Sequence, residues 1–417
     1  MNVLAVSNHV VNLDGPTTAK SVNERRGSNK GLLVFAIILF LVGTLYIGFS
    51  ISWLQALLFL VGGILGITLY QARYGFTSAW RNFIVARRGA GLRSHMVMFF
   101  IANILFLPLL LRGHIFGHPV TGSVDPVGLS VFAGSFLFGL GMQVADGCAS
   151  GTLFHSGGGD VRGALTILGF IVGSVLGSWN FGWWQSTWQL QPISFIQTFG
   201  AAGGFLFNLL LLAIVFFGTL LWERRRNGNV KSILASGDGL GWRRVFKGPW
   251  SLLAGSVILA IGNAVVLMIT GNAWGVTFAF ALVGAKIAQA VGIPVTHWGY
   301  WQTPTNAHAL HANVFANSTM ALDVSIILGA LLAASMSGRF PKPYFRRIPT
   351  RMTIAVIIGG IMMGYGARIA FGCNIGAYFD GIASFSLHGW AWAVFGFIGS
   401  LVGVRLRPIF TLSNKVD

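Results

Sequence analysis

The 417-residue chain is 54% hydrophobic and only 9% charged, a balance that the surface of a water-soluble protein cannot accommodate. Its net charge of +18 would suit a nucleic-acid binder, but the basic residues sit in short clusters beside apolar runs, the positive-inside pattern of a membrane protein, so no nucleic-acid partner is expected. The only two cysteines, Cys148 and Cys373, lie in apolar Gly-rich settings far apart in the chain and suggest neither a disulfide framework nor a zinc site.

Many apolar stretches approach or exceed the roughly 18–20 residues that cross a bilayer as a helix, which predicts an all-α polytopic membrane protein. Residues 1–30 form a polar tail ending in Glu24, Arg25, Arg26 and Lys30, and no small-residue cleavage site follows the first apolar run, so that run is expected to be retained. Residues 31–49 and 52–70 read as two spanning helices. The basic stretch with Arg73, Arg81, Arg87, Arg88 and Arg93 puts their far end in the cytoplasm. Residues 95–112 cross outward to a loop, 113–125, without Lys or Arg. Two apolar arms at 127–147 and 163–182 enclose Cys148, and 203–222 returns to a basic cytoplasmic linker, 223–250.

The second half opens with a helix at 251–270. A full crossing by 274–292 would leave Arg339, Lys342, Arg346, Arg347 and Arg351 outside, against the charge rule. That stretch is therefore read as re-entrant, with Lys286 buried among protein, a functional candidate by default but equally open to snorkelling or a carboxylate partner. Residues 293–320 form an outer loop, 321–337 crosses back, and arms at 353–372 and 389–404 enclose Cys373 beside Arg351, Arg405 and Arg407. On this parity the two cysteine hairpins enter from opposite faces and both termini are cytoplasmic. The expected organisation is a tail (1–30), a first membrane half (31–222), a linker (223–250), a second half (251–408) and a C-terminal tail (409–417), an inverted repeat whose re-entrant hairpins meet near mid-membrane.

The repeat shows in the residues themselves. Gly139-Leu-Gly-Met-Gln-Val-Ala-Asp-Gly-Cys148-Ala-Ser-Gly151 returns as Gly364-Tyr-Gly-Ala-Arg-Ile-Ala-Phe-Gly-Cys373-Asn-Ile-Gly376, in register at an offset of 225. Glycines so placed let backbones approach closely and let a helix break, leaving free N–H groups that attract anions. A thiol beside them suits a soft, sulfur-bearing solute better than a hard oxyanion. The competing reading is structural: a buried cysteine as a small hydrophobe, and glycines that serve only helix packing.

The frame Gly-x-Gly-x-x-x-Ala-x-Gly-Cys-x-x-Gly in both halves resembles the YeeE/YedE family of bacterial inner-membrane sulfur-compound transporters. The resemblance extends to Phe76-Thr-Ser-Ala-Trp-Arg81, Gly163, Gly173, Arg368, Asn374 and Phe385-Ser-Leu-His388, the last details being closer to the YedE branch. It implies import of a small sulfur-containing anion, thiosulfate or a relative, with Cys148 and Cys373 as successive thiols flanked by Gly147, Gly151, Gly372, Gly376 and Asn374. It also implies a small soluble sulfur-transfer protein as cytoplasmic partner. A third family cysteine is replaced by Gly75 in Arg73-Tyr74-Gly75, and Asp146 stands where the family has a small residue. Arg368 is a candidate partner for Asp146, and Arg73 or Arg368 would offset the solute's charge.

The alternatives are a selenium-species transporter, a membrane thiol carrier that forms a persulfide, or a structural subunit. The chain has no Gly-x-x-x-x-Gly-Lys-Ser/Thr loop, and neither an enzyme nor a cofactor is expected. His297, His308 and His311 read as outer-loop residues rather than a metal site. Trp179, Trp183, Trp184, Trp188, Trp298 and Trp301 read as interfacial belts, and Asp160 with Arg162 as a local ion pair or a solute contact.

Overall fold

The computed structural model describes residues 30–235, 241, 243–341 and 348–414. The expectations for the N-terminal tail with Glu24, Arg25 and Arg26, for Lys342, Arg346 and Arg347, and for the last three residues lie outside the described residues.

The first half runs α1 (Lys30–Ser50), α2 (Trp53–Gln71), α3 (Phe76–Ala86), α4 (Ala90–Arg112), α5 (Leu129–Val144), α6 (Ala149–Gly157), α7 (Val161–Trp179) and α8 (Phe181–Gln185). A long helix, α9 (Phe195–Asn227), bent at Gly200, and the short α10 (Arg243–Lys247) lead to the second half. That half runs α11 (Leu252–Thr270), α12 (Thr277–Ala290), α13 (Pro304–His311), α14 (Ser318–Ser337), α15 (Thr350–Ile369), a π-helical turn (Asn374–Phe379), α16 (Asp380–Ala383) and α17 (Leu387–Leu406). Among the described residues, ten helical segments are long and apolar enough to cross a bilayer. The chain is a multi-pass membrane protein. α12 is not one of the ten, because its 14 residues reach only about 21 Å, less than the hydrocarbon core.

Polar residues mark where helices begin. Ser52, Asp160, Ser251, Asn317 and Ser386 accept backbone N–H bonds from Gln55, Arg162, Ala254, Met320 and His388 at 3.0–3.2 Å. Each satisfies a donor that the first turn leaves unpaired, which matters most where no water can do so.

The offset of 225 carries through the elements. α5, α6 and α7 correspond to α15, the Asn374–Ala383 segment and α17, while α1 to α4 correspond to α11 to α14. Helix contacts follow the same exchange: α15 lies against α7 and α17 against α5, with α5 and α15 together at the centre. A Cβ on Gly134 would come 2.6 Å from the Gly366 carbonyl oxygen, and one on Gly359 2.7 Å from that of Gly141. Adding 225 to 134 and subtracting it from 366 turns the first pair into the second, so α5 and α15 exchange places in these contacts.

The chain closes the first hairpin at its base, where Val127 and Gly128 pair antiparallel with Leu190 and Gln189. Its break reaches the other end of the bundle, where Asp146 meets Arg407 just beyond α17. The break after α15 has other neighbours. Its distal segment meets the loop that precedes α5: Ser123 donates its Oγ hydrogen to the Gly376 carbonyl at 3.1 Å and its N–H to Ser384 Oγ at 2.9 Å.

The tryptophan belt is only partly as expected. Trp179, Trp183 and Trp188 are exposed, but Trp301 is buried against Tyr300 and near Phe278. The segment 293–317 folds into short helices that pack on α12 and shelter Trp301, so loop and helix share a small core.

Candidate functional site

Each cysteine sits where a long helix breaks and a short one starts. After α5, Asp146 takes a left-handed φ of +61°, and Cys148 returns to extended backbone to cap α6. After α15, Phe371 takes φ +59° and Gly372 φ +154°, and Cys373 caps the π-helical turn. Only glycine tolerates the Gly372 geometry, and a Cβ there would also lie 2.8 Å from the Ala377 nitrogen. Both thiols are free and buried, and both belong to one continuous apolar cluster.

The glycines of the frame divide into two groups. Gly139, Gly141, Gly364 and Gly366 face backbone carbonyls of neighbouring helices, with 1.9–2.7 Å to any added Cβ, so they are required for close packing. Gly147 and Gly151 leave room, the nearest atoms to an added Cβ lying 3.7 and 3.4 Å away, and a Cβ on Gly376 would meet nothing. For Gly151 the nearest atom is Cys148 Sγ. The structural and functional readings of the frame therefore apply to different residues within it.

Cys148, Gly147 and Gly151 line a cavity of about 410 Å³ with Asp146, Arg73, Gly75, Arg81, Ser78, His155 and Arg339. Three guanidinium groups against one carboxylate favour an anion. Gly75, the position of the missing third thiol, caps the start of α3 on the wall of this cavity, where an added Cβ would meet only Ser78 Oγ, at 3.1 Å. A second cavity, of about 350 Å³, shares Arg73, Gly75 and Ser78 and extends to Arg88, His95 and Lys231.

Asp146 does not pair with Arg368. It is held by Arg81, by Arg407 at 3.0 Å and by Arg162 at 3.4 Å. Arg368 instead donates to the Tyr300 hydroxyl and, at 2.7 Å, to Thr277 Oγ1. The reason is register: Arg368 corresponds to Gln143 rather than to Asp146, and it leaves α15 toward α12 and the 299–302 turn, whereas Asp146 projects from the α5–α6 break toward α3 and α7. Arg162 also binds Asp160, at 2.6 Å, bearing out the local ion pair. Lys286 donates to the Leu310 and Ala312 carbonyls at 2.7 and 2.9 Å, closing the end of α13.

Cys373 does not line the 410 Å³ cavity. Its sulfur accepts the Ile375 N–H at 3.4 Å. Beside it Asn374 is 1% exposed, and neither its Oδ1 nor its Nδ2 has a hydrogen-bond partner. A buried amide left open at both ends is costly unless water or a solute completes it.

In the sequence Ser78 stands out only as part of the 76–81 motif, Arg81 only there and as an orientation marker, Arg339 and Arg407 only as orientation markers, and His155 not at all. The i,i+7 spacing of His155 from Cys148 was the available signal for one of them.

A family model described as "Sulphur transport" matches residues 71–402. The chain belongs to that family. The resemblance to the YeeE/YedE proteins, read from the two Gly-Cys frames, is thereby borne out. Over 193 residues the chain is 34% identical to "Probable transporter YedE" of Escherichia coli K12, covering 43% of this chain and 44% of that protein. It thus spans under half the length of the YedE relatives it matches. Two proteins described as "Thiosulfate transporter TsuA" match over greater lengths. That of Spirochaeta thermophila is 26% identical over 362 residues, 82% of this chain and 95% of the relative. That of E. coli K12 is 22% identical over 347 residues, 81% and 90%.

Proposed function

We propose that this member of the sulphur transport family is a permease that imports a small sulfur-containing anion, thiosulfate or a close chemical relative, by a path that passes both Cys148 and Cys373. The observation that carries the reading is the cavity in which Cys148 lies among Arg73, Arg81 and Arg339. Cationic side chains draw in the anion's charge, and the thiol offers a weak S–H donor to its soft sulfur terminus. Asp146 is neutralised by its three arginines and so leaves the cavity cationic. The open amide of Asn374 supplies hydrogen bonds beside the second thiol.

The two halves, 31–222 and 251–408, form an inverted repeat in which re-entrant hairpins bring both thiols toward mid-membrane. Support comes from the exchange of contacts between α5 and α15 and from the opposite reach of the two breaks. The basic 223–250 linker marks the cytoplasmic face of a bacterial inner membrane, with both termini on that side. Arg73, Arg81, Arg88, Arg339 and Lys231 cluster at the two cavities, so the Cys148 cavity opens to the cytoplasm, where a soluble sulfur-transfer protein would collect the product.

The test is thiosulfate uptake in bacteria lacking other sulfur importers. Wild type is expected to take up label, and Cys148→Ala and Cys373→Ala to lose most of it while remaining in the membrane. Undiminished uptake by both variants would overturn the thiol pathway, and none by wild type would overturn thiosulfate as the solute.

A further inference from the structure

Six carboxylates lie among the described residues. Asp125, Asp146, Asp160 and Glu223 each have a basic side chain within 4 Å. Asp323 and Asp380, 3% and 1% exposed inside spanning segments, have no ion-pair partner. An ionisable residue buried within the membrane is expensive to keep there and is a marker of function.

The two differ in what surrounds them. Neither oxygen of Asp323 meets a donor. Asp380 is built into a chain: Asn263 Nδ2 donates to its Oδ1 at 2.6 Å, and Asn263 Oδ1 accepts the Trp274 N–H at 2.9 Å. Trp274 leads into α12, where Thr277 holds Arg368. Cys373 therefore lies between Arg368 and Asp380, both tied to the α11–α12 corner. The groups facing the Asp380 segment are Asn103 of α4, Asn208 of α9, Asn263 of α11 and His388 of α17, beside Cys373 just before the segment and Tyr378 within it. Only His388 among them can become cationic, and its Nδ1 faces Asp125 at 3.6 Å. The repeat adds a second observation: at the offset of 225, Asp380 corresponds to His155, which lines the cavity beside Cys148. Each thiol is followed seven residues later by an ionisable side chain.

We propose that Asp380 couples transport to protons, so that the anion enters together with H⁺. The inference rests on the transporter reading above. In the proposed cycle the carboxyl O–H is intact while Asp380 is shut off from cytoplasmic water. When the site opens inward, that bond breaks and the proton leaves to cytoplasmic water, giving a carboxylate that pulls harder on Asn263. Reprotonation from the outer side restores the starting state, and no electron transfer is involved.

The experiment uses purified full-length protein in liposomes with the membrane potential clamped at zero, labelled thiosulfate as the probe, and an imposed gradient of one pH unit, acid outside. One proton per anion supports accumulation of about tenfold. Wild type is expected to approach that ratio, and Asp380→Asn, which keeps the acceptor for Asn263, to fall to about one while still exchanging labelled for unlabelled thiosulfate. Asp380→Glu should recover part of the gradient response. Accumulation by wild type that ignores the gradient, or an Asp380→Asn variant that follows it like wild type, would overturn the coupling and leave the transporter reading standing. Absence of any thiosulfate flux in wild type would overturn both. Should Asp380→Asn fail to fold, an internal pH dye in wild-type liposomes still decides: thiosulfate entry must acidify the interior, and no acidification refutes the proposal.

Discussion

The division of glycines into those that face a neighbouring backbone and those that face open space can be tested with two substitutions of the same kind. At Gly139 an added methyl would lie 1.9 Å from the Gly396 carbonyl oxygen, when contacts below 3.0 Å are essentially never tolerated. Backbone cannot rotate aside as a side chain can, so α5 and α17 must separate by about 1 Å along the whole interface. Overpacking of this sort costs about 1–3 kcal/mol, against about 1 kcal/mol gained in helix propensity when Gly becomes Ala. The clash is at the severe end, and Gly139→Ala should destabilise by about 2 kcal/mol. At Gly151 the same methyl lies 3.4 Å from Cys148 Sγ, an ordinary contact, and should leave stability unchanged or slightly raised. It would, however, cover one side of the sulfur. Thermal unfolding in detergent, followed by tryptophan fluorescence, measures the first effect, and thiosulfate uptake the second. Gly139→Ala should lower the melting temperature, and Gly151→Ala should keep it while cutting uptake several-fold. A Gly151→Ala protein that transports like wild type, beside a Gly139→Ala protein as stable as wild type, would refute the division.

Three further predictions use the same measurements. Asp146→Ala leaves Arg407, 2% exposed, without its carboxylate, and should cost about 3 kcal/mol, the low end for a broken buried pair because Asp146 is itself 22% exposed; equal stability would contradict the three-arginine assignment. Glu223 is fully buried and binds Arg93 at 2.7 Å as well as the N–H groups of Gly89 and Lys231 at 3.0 Å, so Glu223→Ala should release the linker, read as faster protease cleavage after residue 228, with cleavage at the wild-type rate as the failing result. Gly75→Cys needs only a rotation of Ser78 and should fold normally while gaining a thiol inside the Cys148 cavity; a small maleimide should label it when Cys148 and Cys373 are both Ala, and lack of labelling would mean that Gly75 does not face open space.

Much of the fold was legible in the residues because the bilayer reduces the problem to one dimension. Apolar length located the spanning helices within a few residues, and charge parity singled out 274–292, whose helix is too short to cross. The cysteine frames matched because duplication preserved backbone requirements: Asp146 and Phe371 share no chemistry, yet both must adopt positive φ. Partnership was harder to read. Arg368 looked available to Asp146 because both sit near a cysteine, but which helix a side chain faces depends on rotation about the axis, and linear spacing does not encode the neighbour. Arg407 was hidden for the opposite reason. As a residue at a helix end it looked like a topological signal, while its guanidinium turns back to Asp146 and the Gln143 carbonyl. Trp301 misled because its type suits an interface, whereas the 293–317 segment folds back on α12 and buries it there.

The matched turns at Asp146 and Phe371 carry one more implication. Duplication supplied the same bend twice, but one copy is collared by guanidinium groups and the other by the rings of Phe181 and His388. A scaffold that is nearly symmetric thus has unlike ends. On the proposed reading, an anion approaching from one side meets fixed positive charge, and from the other an aromatic rim. The barrier profile is skewed, so import and export would have different half-saturation concentrations even with no gradient applied.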